Sequence, residues 1–296
     1  MTNGTKKSTP TSWNLQRLPE MDDVQFHQWQ QLLESRTGMT LSPDRRSFLQ
    51  ANLGIRMREV GCTDYQAYYE RVVSGPGAVI EWTVLVDRLT VQETRFFRDP
   101  DAFRTVADYV VTRAPERLRR EPLEAWSVGC STGEEAYTLA MVMRSSLDRL
   151  KLDIYFGVTG SDISQPALAK AKRGLYSERK LVTTEPALRE SFFIRHPDNQ
   201  FEIDPALRER VCFARLNVLE LQNAPMHGMD IIFCQNLLIY FRRWRRREIV
   251  NHLADRLAPG GLLVLGQGEL TDWQHPQLQR LPSERVLAWL KQNPGR

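Results

Sequence analysis

The chain has 296 residues, 42% hydrophobic and 26% charged, enough for one large globular domain or two smaller ones. Its net charge of +4 excludes a general nucleic-acid coat, although arginines gather at 117–120 and 242–247, where solvated helix faces are the plain reading. Four separated cysteines without a CxxC pair fit a reducing compartment rather than zinc or disulfides, and no run approaches the ~18 apolar residues of a membrane span.

Residues 1–20 are polar, with Pro10 and Pro19, and read as a disordered lead. No apolar segment follows its lysines, so no signal peptide is expected and the location is expected to be cytoplasmic. Residues 21–89 then look all-helical. Phe26, Trp29, Leu32 and Leu33 share one face before Gly38 stops the run. Ser42-Pro43-Asp44 opens a second helix whose apolar side carries Phe48, Leu49, Leu53 and Met57. Arg45, Arg46, Arg56 and Arg58 lie largely elsewhere and predict a basic face. A third helix spans 64–73, Ser74-Gly75-Pro76-Gly77 breaks the chain, and a fourth runs over 79–89.

A polar and aromatic connector, TVQETRFFRDP at 90–100, leads to an amphipathic helix over about 101–114. Within AWSVGCSTGEEAYTLAMVM (125–143), an apolar strand, a Gly-rich turn and a helical pattern from Glu134 follow one another. Glutamates stand where a phosphate loop needs Lys, so the turn suits a ligand with hydroxyls and positive charge, such as S-adenosylmethionine. Glu134 and Glu135 would equally serve simply to favour a helix N-terminus.

A second strand over 154–162 ends at Asp162, where a Rossmann-like site places its ribose-binding carboxylate; a helix cap is the alternative. A helix from Ser164 ends near Gly174. Residues 191–194 and 200–203 flank His196-Pro197-Asp198-Asn199 and predict an inserted β-hairpin. Strands follow at 211–216, with Asn217 behind, and at 229–234, ending at Gln235-Asn236. An Arg-rich helix over about 244–257 is stopped by Pro259-Gly260-Gly261, then comes a strand at 262–265. Residues 285–291 suit a last strand, with a helix as the alternative. Alternation after residue 120 predicts a mainly parallel three-layer α/β domain, with Gly129, Asp162, Asn217 and Asn236 converging at strand ends.

Six ordered stretches carry a specific likeness: QETRFFRDP at 92–100, WSVGCSTGEEAY at 126–137, SDIS at 161–164, RLNVL at 215–219, DIIFCQNLLIYF at 230–241 and LAPGGLLVLGQGE at 257–269. Over about 22–290 the chain resembles the CheR family of chemotaxis receptor methyltransferases, within it the type IV pilus (twitching) branch. The resemblance implies a Rossmann-like S-adenosylmethionine-dependent methyltransferase domain over 90–296, with a small antiparallel β-subdomain inserted at about 176–210 and a helical domain over 21–89 in front. It implies methyl transfer from S-adenosylmethionine to receptor glutamates, leaving S-adenosylhomocysteine. Thr94 and Arg98 match positions touching cofactor and reacting centre, and Gln92 stands where the family usually has Asn. Gly129 belongs to the cofactor turn, Glu135 matches a contact to the cofactor's polar end and Asp162 the ribose carboxylate. Asn217 with Val218, and Asn236 with Leu237, match positions around adenine and methionine; Tyr240 matches an aromatic hydroxyl near the transferred methyl. Arg98 and Tyr240 are thus the expected catalytic residues. Further departures are Gln235 for the usual Arg and Gln267-Gly268 for His-Ser.

A receptor glutamate is already ionised near neutral pH, its ordinary pKa being about 4.3, so alignment rather than a strong base is required. A guanidinium such as Arg98 can hold one carboxylate oxygen while the other attacks. From the residues alone, Arg98 would equally pair with Asp99 or Asp101, Phe96 and Phe97 would be core anchors, Asn217 and Asn236 turn formers, and Tyr240 a core tyrosine. The expected partner is the acidic helical bundle of a methyl-accepting receptor, docked by Arg45, Arg46, Arg56 and Arg58, with the protein monomeric and the short hairpin turn implying recognition without a receptor tail. A cofactor-sensing adaptor, signalled by Gln92 and Gln235, and an RNA methyltransferase, prompted by 242–247, are the competing classes. No nucleic-acid appendage, membrane insertion or metal site is expected.

Overall fold

The computed structural model describes residues 20–90, 92–116 and 121–293. All but the last residue of the expected lead, and the arginines of 117–120, lie outside the described residues. Helix α1 (Asp23–Thr37) begins with a reciprocal Asp22–Gln25 capping box and ends at Gly38, whose φ of +76° suits a residue without Cβ. Helices α2 (Arg46–Val60), α3 (Tyr65–Val73) and α4 (Ala78–Leu89) complete the expected helical region. Its core stacks Trp29 on Tyr68 at 5.6 Å and sets Tyr69 edge-on at 5.2 Å.

The four arginines expected to make a basic face on α2 take different local roles. Arg56 donates to both oxygens of the buried Glu81 at 2.8 Å each, and Tyr68 donates to the same carboxylate at 2.7 Å. Burying Glu81 requires those partners, so Arg56 ties α2 to α4. Arg46 is held by Asp23 at 2.6 Å and by the Met21 carbonyl. Arg45 lies over the rings of Phe48 and Tyr240. Arg58 is exposed but sits two positions past Arg56, roughly 200° around the helix.

Helix α5 (Pro100–Arg113), capped by Asp99, leads to strand β1 (Leu123–Val128), helix α6 (Glu134–Leu150), strand β2 (Phe156–Asp162) and helix α7 (Gln165–Arg173). An inserted unit follows: β3 (Leu175–Ser177), α8 (Pro186–Phe192), β4 (Phe193–Arg195), β5 (Gln200–Ile203) and α9 (Pro205–Arg208). Strands β6 (Val211–Arg215) and β7 (Met229–Cys234), helix α10 (Arg243–Arg256), and strands β8 (Leu257–Leu265), β9 (Leu278–Arg280) and β10 (Leu287–Lys291) complete the order. The large sheet runs β6-β2-β1-β7-β8-β10-β9, parallel through β8, with β10 antiparallel to both neighbours. Both faces are covered, and successive residues serve opposite cores. Ala125, Ile231 and Val264 pack with α5 and α6; Trp126, Ile232 and Leu263 pack with α10. That double burial explains the near-continuous apolar runs in these strands. Among the described residues no helix is long and apolar enough to cross a membrane.

Three expectations shift. The first arm of the hairpin starts at Phe193 rather than Ser191, because Pro186 at a first turn opens α8 and its last bond, Phe193 N–H to Arg189 carbonyl, reaches to Phe193. The hairpin's second strand also pairs with β3 on its other edge, giving the small sheet order β3-β5-β4. Pro259-Gly260-Gly261 lies inside β8 as a bulge: Met229 faces Leu257 while Ile231 faces Leu262. Of the two readings left open for 285–291, the strand is observed, paired with β8 and with β9.

Candidate active site

The Gly-rich turn leaves β1 and hooks back on β2, with Gly129 and Cys130 N–H groups donating to the Ser161 carbonyl at 2.8 and 2.9 Å. Gly129 has φ +76°, and a Cβ there would stand 3.0 Å from Leu237; at Gly133, φ +93°, a Cβ would fall 2.7 Å from that of Ala171 on α7. Small residues are thus needed both to turn and to let α7 and the 236–240 loop approach.

Asp162 ends β2. Its Oδ2 accepts from Ser131 N–H at 2.9 Å and its Oδ1 from Ser164 N–H at 2.8 Å. Burial pushes its pKa up, against the pull of the backbone donors. The cap of α7 is Ser164, whose Oγ accepts from Ala167 N–H, so Asp162 is a clamp between the turn and α7 rather than the cap itself.

The adjacent glutamates of α6 diverge, since one helical step is about 100°. Glu134 is fully buried, accepts from Thr132 Oγ1 at 2.6 Å and pairs with Lys180 Nζ at 2.9 Å, which fastens the inserted unit. Glu135 faces a cavity and accepts from Ser127 Oγ at 2.6 Å. Burial, aided by the nearby Glu269 charge, pushes Glu135 up to about 8, while Ser127 and the Arg98 charge oppose the rise.

Two cavities open at the strand ends and share Gly129, Ser131, Asn236 and Tyr240 as walls. The first is largely apolar, with Leu33, Met39 and Phe48 from the helical region opposite Leu216, Val218 and Leu237, and with Asp162, Gln92 and Asn217 in its wall. The second is polar, lined by Thr94, Arg98, Glu135 and Gln235 among others. Ser131 Oγ, at the seam, is buried without a hydrogen-bond partner among the described residues. A flat apolar group, a hydroxyl-bearing middle and a cationic end fit this order: apolar wall, Asp162 with the unpartnered hydroxyl, then Glu135.

Each expected residue has a definite place. Thr94 lines the polar cavity, and its carbonyl accepts from Lys180 Nζ at 2.6 Å. Arg98 is exposed at the same cavity and donates to the Glu93 carbonyl at 2.7 Å. Its feared ion pairs are engaged elsewhere: Asp99 caps α5 and accepts from Gln235 at 2.9 Å, and Asp101 pairs with Arg104. Gln235 therefore stands as a neutral partner to Asp99. Gln92 donates to Asp87 Oδ1 at 2.7 Å, and the Ser164 hydroxyl donates to the same oxygen. Asn217 lines the apolar cavity, yet its amide is committed to turn and domain contacts: Oδ1 accepts from Leu219 N–H, and Nδ2 donates to the Arg36 carbonyl at 2.8 Å. Asn236, at φ +59°, and Tyr240 line both cavities. Thr40 N–H donates to the Tyr240 carbonyl at 2.8 Å, fastening the helical region over the cleft. Burial raises the Tyr240 pKa against the charges of Arg45 and Arg98. Phe96 is fully buried against Tyr176 and Phe193, and Phe97 packs edge-on to Phe103, so both are core anchors. Of the four arginines expected to dock a partner, Arg45 alone lines a cavity described here.

Sequence reasoning assigned no role to Glu269. Its buried carboxylate accepts from the N–H groups of Gly266 at 3.0 Å and Ile239 at 3.3 Å, and so holds the 236–240 loop against β8. An acid four residues past the apolar run 262–265, behind Gly266-Gln267-Gly268, was the available signal.

Comparison with known proteins shows what the chain is similar to. The family description "CheR methyltransferase, SAM binding domain" matches residues 92–287, and "CheR methyltransferase, all-alpha domain" matches 25–90. A chemotaxis protein methyltransferase of Escherichia coli K12 is 31% identical over 252 residues, 84% of this chain and 85% of that protein. Its Klebsiella aerogenes counterpart is 32% identical, covering 86% and 85%, and one from Pseudomonas putida is 30% identical, covering 83% and 90%.

Proposed function

The chain belongs to the CheR methyltransferase family and is an S-adenosylmethionine-dependent methyltransferase, and from that premise we propose that it esterifies glutamate side chains of a chemoreceptor. The observation that carries the acceptor reading is one polar cavity holding an uncharged-leaning acid, Glu135, and an exposed guanidinium, Arg98. The first suits the cationic end of the methyl donor and the second an incoming carboxylate. S-adenosylmethionine supplies a methyl group on a positively charged sulfur, open to displacement by a carboxylate oxygen.

The chain's own residues bind, orient and exclude water. Asp162 and Ser131 receive the ribose hydroxyls, and Val218 and Leu237 cover the base. Glu135, Thr94 and Asn236 take the methionine portion. Arg98 orients the acceptor carboxylate with Tyr240 beside it, and no base is needed because that carboxylate is already ionised. Arg98 must hold it loosely, since equal stabilisation before and during transfer adds nothing to the chemical step. We place the protein in the cytoplasm as a monomer that recognises the receptor's helical domain directly, without a tail segment. Its four-residue hairpin loop, His196–Asn199, supports that reading. Micromolar calorimetric binding of any receptor tail peptide would overturn it. We assign it to adaptation in pilus-based motility; a deletion strain is expected to lose directed twitching, and wild-type twitching would refute the assignment.

The decisive experiment incubates the protein with labelled S-adenosylmethionine and receptor-bearing membranes. Label is expected in alkali-labile glutamyl esters. Cofactor binding without transfer would make the protein an adaptor instead, and label in RNA would make it an RNA methyltransferase.

Glu135 gives the reading a pH signature. Its folded pKa of about 8 lies above the ordinary carboxyl value, so the free protein holds a proton that the unfolded chain releases. Stability of the free protein therefore declines as pH rises from about 4.5 to 8. A bound cation favours the carboxylate and expels that proton. Affinity for S-adenosylmethionine is expected to rise about tenfold from pH 6 to 7 and to flatten near 8. Calorimetry in buffers of different ionisation enthalpy should register close to one proton released at pH 7. A pH-independent affinity with no proton release would remove Glu135 from the cationic end.

A further inference from the structure

The whole charge surplus of the chain equals that of ten residues beside the polar cavity. From Ile239 to Glu248 stand five arginines and one glutamate, against 40 basic and 36 acidic residues in the full sequence. The five differ in what they do. Arg242 is paired with Glu34 at 2.8 Å, and Arg245 with Glu248 at 2.6 Å. Arg246 is a brace, donating to the carbonyls of Phe241, Glu269 and Ile239 at 2.8, 3.0 and 3.3 Å. Arg243 and Arg247 remain exposed. Arg243 donates to Thr271 Oγ1 at 3.1 Å and stands 3.8 Å from the carboxylate of Asp272, itself highly exposed; Arg247 donates to the Asp272 carbonyl at 3.3 Å.

Solvated arginines alone would need no explanation. Two large apolar neighbours do: Trp244 is 55% exposed with Arg245 over its ring, and Ile239 is 50% exposed. Exposed Trp and Arg together are the composition of an interface centre rather than of ordinary surface. The patch also continues the active site. Ile239 lines the polar cavity, and Arg246 bonds its carbonyl, which joins the start of α10 to the cavity rim.

We propose that Ile239, Arg243, Trp244 and Arg247 form the docking surface for the acidic helical segment that presents the methyl-accepting glutamates, an inference resting on the receptor reading above. Arg243 and Arg247 are four residues apart on α10 and so lie on one face, matching acids one turn apart on a partner helix. Trp244 and Ile239 cover the apolar part of that helix between the charges and the cavity mouth. At α2, by comparison, Arg46 and Arg56 are paired with Asp23 and Glu81, while Arg45 and Arg58 are not held by an acid among the described residues.

The test compares wild type with the double reversal Arg243→Glu, Arg247→Glu and with Trp244→Ser. The substrate is a soluble cytoplasmic helical fragment of a methyl-accepting receptor from the same cell, and the cofactor is at saturation. The reversal is expected to cut kcat/KM for the fragment by about tenfold or more, almost entirely through KM, and to flatten its salt dependence. S-adenosylmethionine affinity should stay unchanged. If the reversal unfolds the chain, the neutral Arg247→Gln replaces it, with KM expected to rise about threefold. Wild type methylating the fragment while every variant keeps its KM and salt slope would overturn the docking surface and leave the receptor reading intact. Wild type labelling transfer RNA and not the fragment would overturn both.

Discussion

Asp162→Ala is expected to weaken S-adenosylmethionine binding by two to three orders of magnitude and to lower the melting temperature. The carboxylate clamps the Ser131 and Ser164 N–H groups, so its removal strands two enclosed backbone donors at about 1–3 kcal/mol each. Hydrogen bonds that a carboxylate would make to ribose hydroxyls are lost as well, at roughly 1.5–3 kcal/mol for a charged acceptor. The backbone part falls on the free protein, so the melting temperature should drop by several degrees, at about 2–4 °C per kcal/mol for a domain of this size. Asp162→Asn keeps one carbonyl acceptor and should recover much of the stability but little of the affinity. Calorimetric titration together with thermal denaturation separates the two parts. Wild-type affinity in a folded Asp162→Ala protein would take Asp162 out of the cofactor site.

Arg98→Ala should lower kcat for receptor methylation by about a hundredfold while leaving the fold intact, a loss in the range expected of a positioning cation. Arg98 is exposed and, among the described residues, makes one hydrogen bond, to the Glu93 carbonyl, so little stability depends on it. Arg98→Lys should be intermediate, because an ammonium cannot present a planar fork to a carboxylate. A second readout separates orientation from general damage. The Arg98 charge holds Glu135 down, so its removal should move the pH midpoint of cofactor binding upward. Steady-state transfer assays and a pH series of binding measure both effects. An Arg98→Ala protein with full transfer and an unmoved midpoint would leave the acceptor carboxylate to another group.

The strands legible in the sequence were those buried on both faces, since Met229–Cys234 and Leu262–Leu265 feed two cores and therefore read as unbroken apolar runs. Helices announced themselves through stops such as Gly38, whereas the Asp64 cap of α3 showed only in the structure. Short strands did not. β3 and β9 are three residues each, too brief for a period, and the Pro259-Gly260-Gly261 stop is a bulge because its neighbours still pair with β7.

By itself the order of residues determined the layered parallel sheet and put Gly129, Asp162 and Asn236 at the ends of adjacent strands, because those features follow from local period and connection rules. Only the tertiary structure decided how side chains of like type divide their work. Glu134 is spent on Lys180 while Glu135 opens on the cavity, and Arg56 is spent on Glu81 while Arg243 and Arg247 stay exposed. The physical reason is that a charge does what its surroundings require: enclosed, it must be paired, and its partners come from segments far away in the chain.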